Sequence, residues 1–354
     1  MPTIKAAPTA VAAFVGWLPD GPMNRAVEVA SFADVEREFG GLHSESEASF
    51  GLWQYFRNGG RRAWVVATGG KTEDADAGLA ALLGTDFTIL CLPRVLGNAL
   101  DFCRDRQALM LVDPPPGPGP AALLAWLDTV GSLRDDHSAM YYPRVTVADP
   151  TAAGLTRSIG PSGTIAGLMA ATDERLGVWA AAAGTDAVLD GIESLDYYLG
   201  DEQVAELSAA GVNCLRDVPG YGPVCWGART LIGDGEDSPY RFVPVRRLAC
   251  FIESSLRPAT AWVQFEPDDE QLRTRLRTDV EDFMSRLFRR GALAGETPAD
   301  AYFVRCDSST TPPGDGGHGI VALEVGFAPM RPGQFVVLRI EHLIGQSRSR
   351  GANS

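Results

Sequence analysis

Residues 87–112 read FTILCLPRVLGNALDFCRDRQALMLV and contain two short apolar runs separated by a helical pattern. The runs at residues 87–91 and 108–112 are typical of buried strands, and residues 98–107 between them favour a helix. A strand, a helix and a second strand in this order predict parallel pairing, because the helix carries the chain back across the sheet. The sequence therefore predicts an α/β unit with helices packed on a parallel sheet.

Similar patterns continue on both sides of this unit. The further predicted elements are strands at residues 11–15, 63–67 and 139–147 and helices at residues 31–40, 46–57 and 121–130. Ser31 followed by Asp34 is a capping pair, which marks the start of the first of these helices. Residues 155–235 are rich in Ala, Gly and Asp, and they predict only short elements.

The last third of the chain predicts a long amphipathic helix followed by three strands. An apolar stripe with spacings of three and four runs through residues 269–290 and consists of Leu272, Leu276, Val280, Phe283, Met284, Leu287 and Phe288. The strands are expected at residues 301–306, 320–327 and 334–340. A helix and consecutive strands in this order indicate an α+β domain.

The outer face of that helix carries charges of both signs. Arg275 and Asp279 are four residues apart, as are Asp282 and Arg286, and such pairs favour a solvated face that is neutralised by its own charges. Together with Arg289, the same arginines also form a basic face that would suit docking to an acidic partner. Both interpretations are open at this point.

The length and the charge of the chain exclude several classes of protein. Its 354 residues are enough for two or three domains with a large buried core. Forty-five acidic and 31 basic residues leave a net charge of −14, which argues against a nucleic-acid partner. No apolar stretch approaches the roughly 20 residues that cross a bilayer, and residues 1–5 lack the pattern of a signal peptide. We therefore expect synthesis in the cytoplasm without a signal peptide and no direct membrane insertion.

Candidate catalytic and metal-binding residues are few. Ser162, within Gly160-Pro-Ser-Gly163, lacks the spacing of a nucleophile elbow, although it could pair with His137 and an aspartate as in a hydrolase. We favour a turn for this segment and a strand-ending turn for Asp113. The four histidines are far apart, and the six cysteines include no C-x-x-C pair and are expected to be reduced and mostly buried. The sequence therefore predicts no catalytic residue, no metal site and no cofactor.

Several segments together resemble the contractile tail sheath family of bacteriophages and phage-like injection particles. The N-terminal and middle segments are Phe14-Val-Gly16, Gly21-Pro22, Ser31-Phe32, Phe39-Gly40-Gly41, Phe56-Arg-Asn-Gly-Gly-Arg-Arg-Ala-Trp-Val-Val66, Tyr141-Tyr-Pro143, Pro161-Ser-Gly163, Ile165-Ala-Gly167, Asp173 and Gly177-Val-Trp179. The C-terminal segments are Trp226-Gly-Ala-Arg-Thr230, Val245-Arg-Arg-Leu248, Phe265-Glu-Pro267, Gly291-Ala-Leu293, Phe303-Val304, Ala328-Pro-Met-Arg-Pro332 and Phe335-Val-Val-Leu-Arg-Ile340. These segments span nearly the whole chain in family order. Departures occur at Gly160, at Asp268 and in the loop at residues 181–184.

The resemblance implies a fold that is both α/β and α+β. It comprises an N-terminal extended arm, a middle parallel-sheet α/β domain that is subtilisin-like in fold only, and a C-terminal α+β sheath core domain with strand-donating termini. The corresponding segments are the arm and first strand at residues 1–20, the N-terminal part of the sheath core at 21–70, the middle domain at 71–235, the C-terminal sheath domain at 236–344 and a flexible tail at 345–354.

The resemblance also implies a structural function. Sheath subunits form hexameric rings stacked around an inner tube and contract to drive that tube through a target envelope. The expected partners are further copies of the chain in a helical, six-fold sheath, the inner tube protein, the baseplate and terminal cap proteins, and sister sheath proteins. The expected location is a phage tail or a phage-like particle, such as an extracellular contractile injection system or an R-type tailocin, which is released outside the producing cell. The alternative is a hydrolase that uses Ser162 and His137.

Two sets of residues are expected to carry assembly. The resemblance assigns strand exchange between subunits to Thr3, Ile4, Lys5, Ala6, Phe335, Val336, Val337, Leu338, Arg339 and Ile340. Apart from Lys5, the N-terminal segment is small and uncharged, and Pro2 and Pro8 oppose a helix there. Contact with the inner tube is assigned to Arg275, Arg286 and Arg289.

Overall fold

The computed structural model describes residues 4–69, 75–92, 98–234, 238–267, 269–307, 310, 320–330 and 336–343. The chain divides into two compact units. Pro8–Leu248 form the large unit, and the described parts of Met1–Ala7 and Ala249–Ser354 form the small unit. The division of the sequence into five segments, with boundaries at residues 20, 70, 235 and 344, stays a prediction.

The two units contain strands and helices in the following order. The strands of the large unit are β1 (Ala12–Trp17), β2 (Val27–Val29), β3 (Ala63–Thr68), β4 (Ile89–Leu92), β5 (Leu109–Val112), β6 (Ser138–Tyr142), β7 (Val145–Ala148), β8 (Thr156–Ile159), β9 (Ser194–Leu195), β10 (Val212–Val218) and β11 (Gly222–Cys225). Its helices are α1 (Phe32–Phe39), α2 (Glu47–Arg57), α3 (Ala75–Ala80), α4 (Ala99–Asp105), α5 (Pro120–Thr129), α6 (Ser162–Arg175) and α7 (Asp201–Ala209), and α8 (Val243–Ala259) begins in this unit and ends in the small one. The small unit continues with a 3-10 helix (Ala261–Phe265), α9 (Glu270–Arg289), α10 (Pro298–Ala301), β12 (Tyr302–Arg305), β13 (Ile320–Phe327) and β14 (Val336–Leu343).

Most strands of the large unit form one sheet, in the order β11-β10-β6-β5-β4-β1-β3-β2. Neighbouring strands from β10 to β3 run parallel, and β11 and β2 pair antiparallel at the two edges. β1 and β3 therefore share a sheet with the strands of the predicted middle domain. A second, antiparallel sheet has the order β8-β7-β9. The predicted α/β fold is confirmed.

The main sheet is buried on both faces, because successive side chains of each strand point to opposite sides. Phe14 and Leu111 face one apolar core, which also contains buried residues of α2 and α6. Val15 and Met110 face the other core, which contains buried residues of α3, α4, α5 and α7. The predicted helices packed on a parallel sheet are therefore present, and they cover both of its faces.

The small unit is α+β, as predicted. α9 begins after its N-cap Asp269, whose carboxylate accepts a hydrogen bond from the Leu272 N–H at 2.8 Å. The residues of its apolar stripe that are buried are Leu272, Leu276, Val280, Phe283, Met284 and Leu287. β12 packs against α9 and forms an antiparallel sheet in the order β12-β13-β14. β13 and β14 pair without interruption from Ile320 opposite Leu343 to Phe327 opposite Val336.

The prediction of only short elements in residues 155–235 is wrong, because this region contains the 14-residue helix α6. Most side chains of α6 are buried, so no polar face produces a helical period in its sequence. α8 was not predicted either. The run at residues 139–147 is two strands, β6 and β7, which are separated at Pro143 after a cis peptide bond.

Candidate functional site

Ser162 and His137 do not form a catalytic pair. Ser162 is the first residue of α6, and its N–H and Oγ–H donate to the two carboxylate oxygens of Asp113 at 2.8 and 2.7 Å. His137 precedes β6, and its Nδ1–H donates to the carbonyl oxygen of Ala108 at 2.9 Å. Ala108 and Asp113 flank the two ends of β5, roughly 16 Å apart for an extended strand. The predicted pairing of Ser162 with His137 is therefore wrong, and residues 162–163 begin α6 where a turn was predicted.

The carboxyl group of Asp113 is part of a polar network at the end of β5. Burial, together with the nearby negative charge of Glu47, raises the pKa of Asp113 to about 7. Glu47 accepts hydrogen bonds from the Gly160 N–H at 2.8 Å and from Arg144 Nη2 at 2.5 Å. A Cβ at Gly160 would lie 2.1 Å from the carboxyl carbon of Asp113, so the network requires glycine at this position. The polar network therefore holds the start of α6 at the end of β5.

We expect Asp113 to make the protein less stable as the pH rises from about 4 to about 7. The folded chain keeps the proton of this carboxyl group up to a pH of about 7, whereas the unfolded chain loses it near the model value of 3.8. The folded state therefore binds the extra proton within this range, and each pH unit lowers the free energy of unfolding by up to about 1.4 kcal/mol. Urea unfolding of the parent protein and of Asp113→Asn across this range measures the effect.

The Asp113→Asn substitution removes the titrating group and keeps an oxygen that can accept from Ser162. As the pH rises from about 4 to about 7, the free energy of unfolding of the parent protein should therefore fall relative to that of Asp113→Asn. Parallel pH profiles for the two proteins would contradict the prediction.

The three arginines assigned to the inner tube differ in their surroundings. Arg275 is exposed, and its guanidinium carbon lies 4.4 Å from the centre of the Trp262 ring. Arg289 is exposed, and its Nε–H donates to the carbonyl oxygen of Ser285 in the same helix at 3.3 Å. The side chain of Arg286 is 31% exposed and forms an ion pair with Asp282. A shared exposed face therefore exists for Arg275 and Arg289, and the contact of all three with a tube stays a prediction.

The residues predicted for strand exchange fall in two segments of the small unit. Thr3 and Phe335 lie outside the described residues. Ile4 is buried, Lys5 and Ala6 are exposed, and none of the three belongs to a helix or strand. The remaining predicted residues, Val336, Val337, Leu338, Arg339 and Ile340, form part of β14 and pair with β13 of the same chain. Exchange between subunits stays a prediction.

β14 is an edge strand of its sheet. β13 pairs with one side of it, and in the described part of the chain no strand pairs with the other side. Two apolar side chains of this strand are exposed, Val337 at 51% and Leu343 at 60%. Phe265, in the 3-10 helix next to β14, is 82% exposed. An open strand edge with exposed apolar side chains is a surface on which another chain can pair.

Two features were missed at the sequence level, although a signal was present: the exposed Phe265 and the buried ion pair between Arg247 and Asp173. Phe265 opens the segment Phe265-Glu-Pro267, one of the segments on which the resemblance in the sequence rests. Arg247 and Asp173 also belong to the residues on which that resemblance rests, and they form a buried bidentate ion pair with hydrogen bonds of 2.9 and 2.7 Å. Their chemical partners could not be identified from sequence because 74 positions separate them.

The remaining expectations concern the cysteines, a metal site and membrane-spanning helices. All six cysteines are buried and none of them forms a disulfide, in agreement with the predicted buried thiols. Within the described ranges, no group of His, Cys, Asp and Glu has the make-up of a metal site. Over the same ranges, no helix is both long enough and apolar enough to cross a membrane.

Comparison with known proteins identifies the family. Neither protein-family models nor curated proteins match the chain. Among solved structures, the helical sheath of the anti-feeding prophage (AFP) in its contracted state is 30% identical, over 96% of this chain and 95% of that chain, with a TM-score of 0.76. The PVC sheath complex of an extracellular contractile injection system, also contracted, is 25% identical over 96% and 93%, with a TM-score of 0.77.

A more distant structure agrees with these two. The sheath tail protein of Desulfitobacterium hafniense is 11% identical, over 97% of this chain and 98% of that chain, and its TM-score of 0.67 shows a shared fold. The AFP match extends over nearly the full length of both chains, so it includes both the large and the small unit of this chain. The chain belongs to the family of contractile sheath proteins.

Proposed function

We propose that this sheath subunit assembles into stacked hexameric rings around an inner tube and contracts to drive that tube into a target envelope. The observation that carries the proposal is the match to the AFP helical sheath over 96% of this chain and 95% of that chain. The AFP and PVC structures are described as sheaths in the contracted state, and a second AFP structure is described as a baseplate. A subunit of the same fold and length is suited to the same structural role.

The open edge of β14 supports assembly through strand addition. An incoming strand would satisfy its free backbone groups and cover Val337 and Leu343. The donor in this proposal is the N-terminal arm of a neighbouring subunit, which includes the predicted exchange residues 3–6. Such ladders of backbone hydrogen bonds would keep subunits connected while packed interfaces between them rearrange during contraction.

Electron microscopy of the purified chain tests this function. We expect long, striated, hollow tubes, because a sheath subunit contains the surfaces needed for its own helical assembly. A chain that stays monomeric at all concentrations would contradict the proposal. The baseplate, the terminal cap and sister sheath proteins are further proposed partners, and their presence in the same particle can be tested by mass spectrometry of particles purified from the producing cell.

We also propose that Arg275 and Arg289 contact the inner tube in the extended state. Exposed ion pairs are worth about 0–1 kcal/mol each, so a contact repeated in every subunit holds the tube and is still released on contraction. The double substitution Arg275→Glu/Arg289→Glu should therefore shift particles from extended and tube-filled to contracted and empty. Counting both classes in micrographs of complete particles measures the shift.

A matched control is Arg305→Glu, which reverses another exposed arginine of the small unit, on β12. It should leave the ratio of extended to contracted particles unchanged. An unchanged ratio for the double substitution as well would remove this face of α9 from the tube interface.

A further inference from the structure

The N-terminal arm of the chain is held against its own small unit by its backbone. Arg286 Nη2 donates to the carbonyl oxygen of Ile4 at 3.2 Å. Three residues later, the Ala7 N–H donates to Ser255 Oγ at 2.9 Å. The side chain of Ile4 is only 7% exposed, whereas Lys5 points into solvent. Two hydrogen bonds and one buried side chain therefore fix residues 4–7.

Both side chains that hold the arm are oriented by their own helices. Arg286, on α9, forms an ion pair with Asp282 one turn earlier, which directs the guanidinium group. Ser255, on α8, donates its hydroxyl proton to the carbonyl oxygen of Phe251 at 2.7 Å, so its oxygen lone pairs are free to accept from Ala7. We call Arg286 and Ser255 the arm clamp.

The arm is fixed a second time where it enters the large unit. Arg247 Nη2 donates to the carbonyl oxygen of Thr9 at 2.9 Å, and the same guanidinium group is paired with Asp173. Thr88 Oγ1 donates to the Thr9 carbonyl oxygen as well, at 2.5 Å. A buried and fully paired arginine is costly to disrupt. We therefore expect Thr9 to stay bound to its own subunit, so that only the segment before it can leave.

Strand exchange and the arm clamp compete for Ile4. The Ile4 side chain cannot be buried in its own subunit and on a neighbour at once, and the hydrogen bond from Ala7 to Ser255 holds the residue that directly follows the exchange segment. We propose that the arm clamp stores the arm on its own subunit before assembly and that a neighbour's β14 edge must take the arm from it. This proposal rests on the proposed exchange of the arm. It makes Arg286 a positioning residue for the arm, in place of its predicted contact with the tube.

Cleavage by a lysine-specific protease measures release of the arm directly. The chain contains only two lysines, Lys5 in the arm and Lys71, so each cut is assigned by intact mass and Lys71 is an internal reference. Cleavage at Lys5 requires an extended, released arm, and its rate follows the population of the open form. Loss of one charge-assisted hydrogen bond by Arg286→Ala should raise that rate about tenfold or more relative to Lys71.

The matched control is Arg277→Ala, on the same helix. Position 277 is nine residues from position 286, which places it on the opposite face of α9 at about 100° per residue. Arg277→Ala should leave cleavage at Lys5 at the parent rate, and Ser255→Ala should raise it as Arg286→Ala does. Equal cleavage at Lys5 in the parent chain and in both clamp variants would overturn the clamp.

The rate of assembly separates storage from a permanent attachment. If the arm clamp competes with exchange, Arg286→Ala should shorten the lag before tubes form, as followed by light scattering. A longer lag or no tubes would overturn the proposed competition, since the clamp would then be needed in the assembled state. A chain without residues 1–7 separates failure of the clamp from failure of the exchange. Normal tubes from that chain would refute exchange of the arm. Slow cleavage at Lys5 in the full chain would still show that the arm clamp exists.

Discussion

The Gly163→Val substitution is expected to leave no folded large unit. A Cβ at position 163 would lie 2.2 Å from the carbonyl oxygen of Gly51 in α2, and 2.6 Å from its carbonyl carbon. Backbone atoms cannot rotate away as the end of a side chain can, so α6 would have to separate from α2. Because both helices cover the same face of the main sheet, separation would open that core.

The cost of this change should exceed about 4 kcal/mol, which is a large part of the stability of a typical domain. The soluble yield, the circular dichroism spectrum and the thermal unfolding of the variant measure it. Gly163→Ala tests the same contact with the smallest possible side chain and should be destabilising to a lesser degree than valine. Gly131→Ala is the control, because a Cβ there meets no atom within 4 Å and should leave the fold intact. A soluble Gly163→Val protein with the parent melting temperature would show that α2 and α6 do not cross this closely.

Deletion of residues 1–7 is expected to abolish tube formation and to leave a folded subunit. The deletion removes the proposed donor strand, and the open edge of β14 then has no partner from a neighbour. It keeps Thr9, whose carbonyl oxygen accepts from Arg247, and the connection from Thr9 into β1. The large unit should therefore keep its stability.

Micrographs of the truncated and the full chain at equal concentration measure assembly, and thermal unfolding verifies the fold. Adding a peptide of residues 1–10 in excess provides a second test, because it should occupy the β14 edges of the full chain and slow its assembly. A peptide in which proline replaces Ile4 and Ala6 is the matched control, since proline lacks the N–H needed for a ladder. Truncated protein that forms tubes of normal length would refute exchange of the N-terminal arm.

Elements that bury one regular face could be predicted from sequence. The stripe of α9 repeats every three or four residues because one side of this helix is buried and the other is exposed. The capping of α1 by Ser31 was equally visible, and the Ser31 oxygen does accept from the Asp34 N–H, at 3.3 Å. The strands β4 and β5 could be predicted for a related reason, since a short strand buried on both faces is a continuous apolar run.

Helix α6 could not be predicted in the same way. Its close approach to α2 requires glycine at positions 163 and 167, where a Cβ would lie 2.2 Å and 2.4 Å from backbone oxygens of α2. Glycine is among the weakest helix formers, so the residues that permit the tertiary contact also remove the local signal for a helix. The requirement comes from α2, which is more than 100 positions earlier in the chain.

The sequence by itself determined the alternation of strands and helices, the amphipathic character of α9 and the resemblance to sheath proteins, because each of these is a pattern among residues close in the chain. The tertiary structure decided which partner each polar group meets. Ser162 donates to Asp113 from 49 positions away and so does not pair with His137, and Arg286 reaches Ile4 across 282 positions. Hydrogen bonds and burial at such separations depend on how the elements pack, and they determine the pKa of Asp113 and the surroundings of Arg286.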